Sequence, residues 1–237
     1  AETENVSVLS AYKTENAKVI VSGKRSLEAA EVYAKQDKKV CVLNFASATN
    51  PGGGVTKGSS AQEEALCRCS TLYPCIKTDE LWEKFYSMHR KRADVRYTDT
   101  CIYTPDVTVF KSDTDCPALL DENEWYSVDV ITCAAPNLRE RPSNPMNPHA
   151  GYKQAKLTPA ELETLLTSRI RRIFEVAVAS GNEVLILGAF GCGAFRNPPE
   201  VVAKAFHKVL DEYQKYFETI EFISGKSSFA TITSIPI

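Results

Sequence analysis

The sequence predicts an α/β protein: three layers, with a mainly parallel central sheet covered by helices on both faces. Three observations predict it. Apolar, β-branched runs alternate with stretches of helical periodicity along the chain. Two of these runs end in glycine-rich turns, at residues 52–54 and 188–193, each followed by a helix start. The run at residues 40–43 is apolar at every position, as suits a strand buried on both faces.

Residues 1–17 are polar and carry no periodic signal. Lys18-Val19-Ile20-Val21 reads as a short strand. Ser26 is placed to cap a helix running to about Lys35, with Leu27, Ala30 and Tyr33/Ala34 at helical spacing. The strand at 40–46 leads into Pro51 and three glycines, which stop regular structure. Ser59 or Ser60 can cap the next helix, expected over about residues 60–72. Glu63 stands three residues after Ser60, at capping-box spacing. A further helix is expected from about Thr78 to Arg90, carrying Leu81, Trp82, Phe85 and Tyr86. Residues 97–103 and 107–110 look like strands of a β-rich middle section. Residues 128–135 read as a central strand ending in Pro136-Asn137. Residues 138–158, rich in Pro and Asn, form a loop long enough to be functional or mobile. Thr158 and Pro159 open a strong helix to about Ala179 by cap and first-turn proline. A strand at 183–188, a second glycine loop at 188–197, a helix from Pro198-Pro199 to about Tyr216 and a last strand at 219–223 complete the order. With no repeat, low-complexity segment or linker, residues 1–237 read as one domain with a short N-terminal extension at 1–17.

The chain has 237 residues and a net charge of −2, so no strong basic field draws it to nucleic acid or to a membrane surface. No apolar run reaches the ~20 residues that span a bilayer, and no membrane partner is expected. Eight cysteines are scattered without metal-ligand spacing. Free thiols in a reducing compartment, hence a cytoplasmic protein, are the expectation; a monomer is expected. The abrupt opening at Ala1-Glu2-Thr3 fits a trimmed upstream segment.

In open α/β sheets, ligands sit beyond the carboxyl ends of the strands. Both glycine loops leave such ends, as does the 134–137 segment, so three loops converge on one rim. The second loop, Gly188 to Asn197, has G-x-x-G-x-G order and lacks the Gly-Lys-Ser/Thr of a P-loop. A tight turn and a phosphate cradle are both open readings. Phe190 is expected in the core, whereas Phe195, past the last glycine, can stack over a ribose or base. Glu63 and Glu64 sit in the first turn of a helix beside a bare glycine backbone. They can be cap and dipole partners, or they can do acid/base work. Adjacent residues on one turn cannot bracket a sugar as ordinary glycosidase carboxyls do. If both act, one holds hydroxyls and the other moves protons.

Asn44-Phe45-Ala46, then Asn50-Pro51-Gly52-Gly53-Gly54, then Gln62-Glu63-Glu64 with Leu66, Arg68, Ser70, Leu72 and Tyr73, resembles the bacterial-type poly(ADP-ribose) glycohydrolases. The resemblance continues through Tyr97-Thr98-Asp99, residues 102–107, residues 131–137 and residues 187–195, covering about residues 18–225. It implies a three-layer α/β/α macrodomain-like fold with a mixed, mainly parallel central sheet, and a glycosidase that splits ribose–ribose bonds from the chain terminus to release ADP-ribose. Carried over, Glu64 is the catalytic acid/base and Glu63 holds a hydroxyl of the leaving ribose. Asn50 binds the released ribose, and Gly52, Gly53 and Gly54 shape the loop around it. Gly191, Cys192, Gly193 and Ala194 cradle the diphosphate through N–H groups, and Phe195 stacks. Gln62 and Asn137 complete the expected substrate-binding set. No cofactor or metal is implied. His89, His149 and His207 are lone, and His89 and His207 are expected at the surface. A nucleophilic Cys192 has no histidine near it in sequence. The long helical N-terminal extension of many relatives is almost absent, and the 138–158 loop has no close counterpart. Two alternatives remain: a hydrolase of another ADP-ribose conjugate, on protein or nucleic acid, and a non-catalytic ADP-ribose-binding macrodomain.

Overall fold

The computed structural model describes residues 13, 15–145 and 147–223; most of the expected N-terminal extension lies outside them. Six strands form one sheet: β1 (Lys18–Ser22), β2 (Val40–Phe45), β3 (Ile102–Val109), β4 (Tyr126–Cys133), β5 (Val184–Gly188) and β6 (Thr219–Ile223). Their order is β1-β6-β5-β2-β4-β3. Every neighbouring pair is parallel except β3 with β4. The mixed, mainly parallel sheet of the sequence reading is therefore the one observed.

Period-2 alternation along the strands builds two cores. Cys41, Leu43, Ile131, Leu185, Leu187 and Phe222 face the long helices α6 (Pro159–Ala179) and α7 (Pro199–Tyr213). Val40, Val42, Val128, Val130, Val184 and Ile186 face α1 (Ser26–Ala34), α2 (Gln62–Cys69) and α3 (Leu72–Ile76). Thr158 caps α6 in a full capping box with Glu161, as its spacing predicts.

Other boundaries moved, each for a visible reason. Ser26 does not cap α1: the backbone leaves the extended conformation at Arg25, whose N–H is received by Glu28 Oε2 at 3.1 Å. Nor does Ser60 cap α2. Its N-cap is Ala61, whose methyl side chain cannot accept a hydrogen bond, and Glu63 receives Ser47 N instead of an N–H of its own helix. The expected 60–72 helix breaks at Ser70, where the chain turns extended and Thr71 N donates to Thr108 O of β3 at 2.9 Å. The 78–90 helix is observed as α4 (Asp79–Leu81), a π-helical turn over Trp82–Ser87, and α5 (Met88–Arg92). Of the two middle strands expected, residues 97–101 are not strand, and one strand, β3, starts at Ile102, with a register shift between Thr104 and Val107. Pro105 has no N–H to offer there, and Asp106 sits at φ 52. The buried Asp129 carboxylate accepts Asp106 N at 3.0 Å, Asn182 Nδ2 at 2.6 Å and the Tyr103 hydroxyl, which pins that bulge.

Candidate active site

Parallel β2 lies between β4 and β5, so the loops that leave their carboxyl ends meet. Residues 46–61 follow β2, residues 134–158 follow β4 and residues 189–198 follow β5.

The first loop turns back onto its own helix start. Asn50 O receives Gly53 N at 2.9 Å, and the Asn50 side-chain amide donates to Gly53 O. Gly53 stands at φ +59, and an added Cβ would collide with Glu64 Oε1 and lie 2.9 Å from Glu63 Oε2. The two carboxyls thus flank one α-carbon. Glu64 Oε1 accepts Gly54 N at 2.8 Å, and Glu63 Oε2 accepts Ser47 N at 2.8 Å. Both side chains are buried, and the second oxygen of each, Glu63 Oε1 and Glu64 Oε2, has no partner among the described residues. Buried polar atoms normally find a partner, so two adjacent orphans mark the place where a polar ligand belongs.

Gln62 spends its amide on the protein. Its Oε1 accepts Phe45 N at 2.9 Å, and its Nε2 donates to Leu43 O at 2.8 Å and Ser26 Oγ at 3.0 Å. It braces α2 against the end of β2. Asn44 Oδ1 is a further buried orphan on β2, while its Nδ2 donates to Thr132 Oγ1 at 3.1 Å. Asn137 is fully buried with Nδ2 unpartnered.

Burial pushes the Glu63 carboxyl well above the ordinary glutamate range; the Ser47 N–H opposes that shift and the Glu64 charge adds to it. A raised native pKa means that the folded protein keeps a proton the unfolded chain has already lost. Stability is then whole below the unfolded glutamate value and falls as pH rises above it. Glu63→Gln, which keeps an acceptor for Ser47, is expected to raise Tm at neutral pH, with the gain fading as the pH approaches the ordinary glutamate range. Thermal unfolding of both proteins across this range checks it; parallel Tm–pH curves would refute it.

The third loop is stitched to the second. Asn197 Nδ2 donates to Pro136 O at 2.8 Å and Gly191 O at 3.0 Å. Gly191, at φ +76, leaves no room for a Cβ against Ala135 and Asn197. Cys192 N is taken by Ala189 O at 3.0 Å. The N–H groups of Gly191, Gly193 and Ala194 have no acceptor among the described residues, and open space faces Gly193. Burial, aided by the Glu200 charge, pushes the Cys192 thiol up to about 12, which disfavours the thiolate a nucleophile needs. Phe190 is buried, as expected. Phe195 is half-buried, with its ring 6.1 Å from that of Tyr97.

His89 is not at the surface. It is buried, with Nδ1 2.8 Å from Phe85 O and Nε2 2.9 Å from Thr98 Oγ1, and desolvation lowers its pKa. Several contacts that brace the first loop from outside the site escaped the sequence reading. Asn147, from the 138–158 loop, accepts from Thr49 Oγ1 at 2.9 Å and donates to Ser47 Oγ at 3.1 Å, so this loop clasps the first one. Arg90 Nε donates to Thr49 O at 2.7 Å. Only the basic run at residues 89–92 hinted at Arg90. Among the described residues no group of three or more His, Cys, Asp or Glu side chains is arranged as a metal site. Nor is any helix among them long and apolar enough to cross a membrane.

Residues 3–112 match the family model described as microbial-type PARG, catalytic domain. No curated protein matches the chain. Solved structures do. The poly(ADP-ribose) glycohydrolase (PARG) of Thermomonospora curvata shares 30% identity over 94% of this chain and 76% of its own, with a TM-score of 0.77. The same enzyme bound to the inhibitor ADP-HPD matches at 32% identity, over 90% of this chain and 74% of its own, TM-score 0.74. The PARG of Deinococcus radiodurans in complex with ADP-ribose matches at 33% identity, over 91% and 80%, TM-score 0.76.

Proposed function

The chain belongs to the microbial-type poly(ADP-ribose) glycohydrolase family, and from that premise we propose that it hydrolyses the ribose–ribose O-glycosidic bonds of ADP-ribose polymer from the free end, releasing ADP-ribose. The observation that carries this reading is the pair of buried carboxyls about Gly53, each with one oxygen held by a backbone N–H and the other without a partner. A fixed carboxyl with a spare oxygen can protonate a departing ribose oxygen and then take a proton from water. Glu64 is assigned that work. Glu63, raised in pKa and adjacent, holds a hydroxyl of the leaving ribose. Asn50 and the residues 52–54 enclose the ribose that is released. The unengaged N–H groups of Gly191, Gly193 and Ala194 receive the diphosphate, with Cys192 shaping the turn between them. Asn137 Nδ2 offers one more buried donor. The related Deinococcus protein binds ADP-ribose and the Thermomonospora protein binds ADP-HPD, which supports a ligand of this class at the same rim.

The described residues form one sheet between two helical layers, which supports reading the chain as one domain, and we take it to act as a monomer. All eight cysteines are free, and the Cys101 thiol is within hydrogen-bond reach of Cys133, which supports a reducing, cytoplasmic setting.

Incubating the purified protein with ADP-ribose polymer should yield free ADP-ribose, read by chromatography. Binding of ADP-ribose without release from polymer would replace this reading by a conjugate-specific hydrolase or a non-catalytic reader. Phe195→Ala is expected to weaken ADP-ribose binding by ~1–3 kcal/mol, the usual worth of one stacking contact. An unchanged Kd by calorimetry would assign Phe195 to packing against Tyr97 alone.

A further inference from the structure

Arg90 is incompletely used by the protein. Its Nε donates to Thr49 O, and its guanidinium carbon lies 4.5 Å from the centroid of the Trp82 ring. Neither Nη group has a hydrogen bond or ion-pair partner among the described residues. A guanidinium is a planar fork of five donors that grips phosphate oxygens two at a time. Here the plane is fixed by an aromatic ring below and a backbone carbonyl at one edge, and the fork itself is free.

The surroundings favour an anion. Lys91 and Arg92 are exposed and have no ion pair among the described residues. The nearby carboxylates are mostly spoken for: Glu80 by Lys84 at 2.7 Å and Asp94 by Arg96 at 2.6 Å. That leaves Asp79 and Glu83 against three cations. Trp82 itself keeps 37% of its surface in water, although Tyr86 stacks beside it at 6.5 Å. The π-helical turn at Trp82–Ser87 is what lets Arg90, eight positions on, reach back over this ring.

The place matters as much as the charge. Thr49 immediately precedes Asn50, whose side chain holds Gly53, the residue flanked by both glutamates. The free fork is therefore tethered one residue before the loop assigned to the scissile ribose. Resting on the glycohydrolase reading above, we propose that Arg90, set on Trp82 and supported by Lys91 and Arg92, binds the diphosphate of the ADP-ribose unit next to the terminal one. It is a second subsite that distinguishes polymer from a single ADP-ribose.

The test is equilibrium binding in a Glu64→Gln background, so that turnover cannot interfere. The probes are ADP-ribose and its ribose–ribose-linked dimer. The dimer should bind about tenfold more tightly than the monomer or better, the range of a charge-assisted bidentate contact. Arg90→Gln and Trp82→Leu should each erase that advantage and leave the monomer Kd within twofold. Equal affinity for both probes, or an equal loss for both in Arg90→Gln, would overturn the proposal; the second result would make Arg90 a tether for Thr49 and nothing more. Trp82→Leu keeps the Thr49 bond, so it stays informative even if Arg90→Gln unfolds. Failure of the glycohydrolase reading looks different, because the wild type would then release no ADP-ribose from polymer, whatever the dimer's affinity.

Discussion

Glu64→Gln is expected to cut ADP-ribose release from polymer by about a thousandfold, within the range lost with a positioned general acid/base, while the Kd for ADP-ribose stays within a few-fold. The substitution is nearly isosteric. Its amide oxygen can still accept Gly54 N, which Glu64 Oε1 now receives at 2.8 Å, so the loop keeps its anchor. What disappears is a transferable proton at the second oxygen, the one without a protein partner. Single-turnover release from polymer, run beside calorimetry with ADP-ribose, separates the two effects. Near wild-type release would remove Glu64 from the chemistry. A parallel collapse of binding would mean that its charge serves the ground state instead.

Gly53→Ala is expected to lower kcat/KM by about a hundredfold, the scale of an ångström-sized misplacement of catalytic groups, without unfolding the protein. Two costs combine. The backbone at φ +59 costs an alanine about 1 kcal/mol. The methyl also enters the space held by Glu64 Oε1 and Glu63 Oε2. Both carboxyls have to swing away, or the loop has to lift off α2. Gly58→Ala is the matched control: φ is +79 there, but nothing lies within 4 Å of the added carbon. It carries the strain without the collision, and its activity should stay near wild type. Equal rates for the two alanine variants would show that the crowding at Gly53 does not matter.

Much of this arrangement was legible in the sequence because it is local. β2, the glycine turn and the start of α2 are contiguous, and the period-2 pattern of the strands announced which faces they bury. The failures are contacts that cross the chain. Glu63 sits at capping-box distance from Ser60, yet Ser47, sixteen residues back, supplies a buried N–H that no spacing rule announces. Gln62 stands in the signature as a ligand contact, and no spacing rule announces that it also braces Phe45, Leu43 and Ser26. His89 has charged sequence neighbours, but the face it occupies packs on Phe85 and Tyr97. The 138–158 loop has no periodic signal, and its grip on Thr49 through Asn147 spans about a hundred positions.

The strand order has a consequence for how the chain comes off the ribosome. The catalytic signature lies wholly within residues 44–64, yet none of the first three strands pairs with another: β2 needs β4 and β5, β3 needs β4, and β1 needs β6. A nascent chain that has emerged to residue 112 therefore carries both glutamates and no hydrogen-bonded strand pair at all. The first ladder waits for Tyr126 and the last for Thr219. The acids stay exposed through most of synthesis, and their burial is among the late events of folding, when the non-local parallel strands close. No fragment that ends with the signature should hold the site.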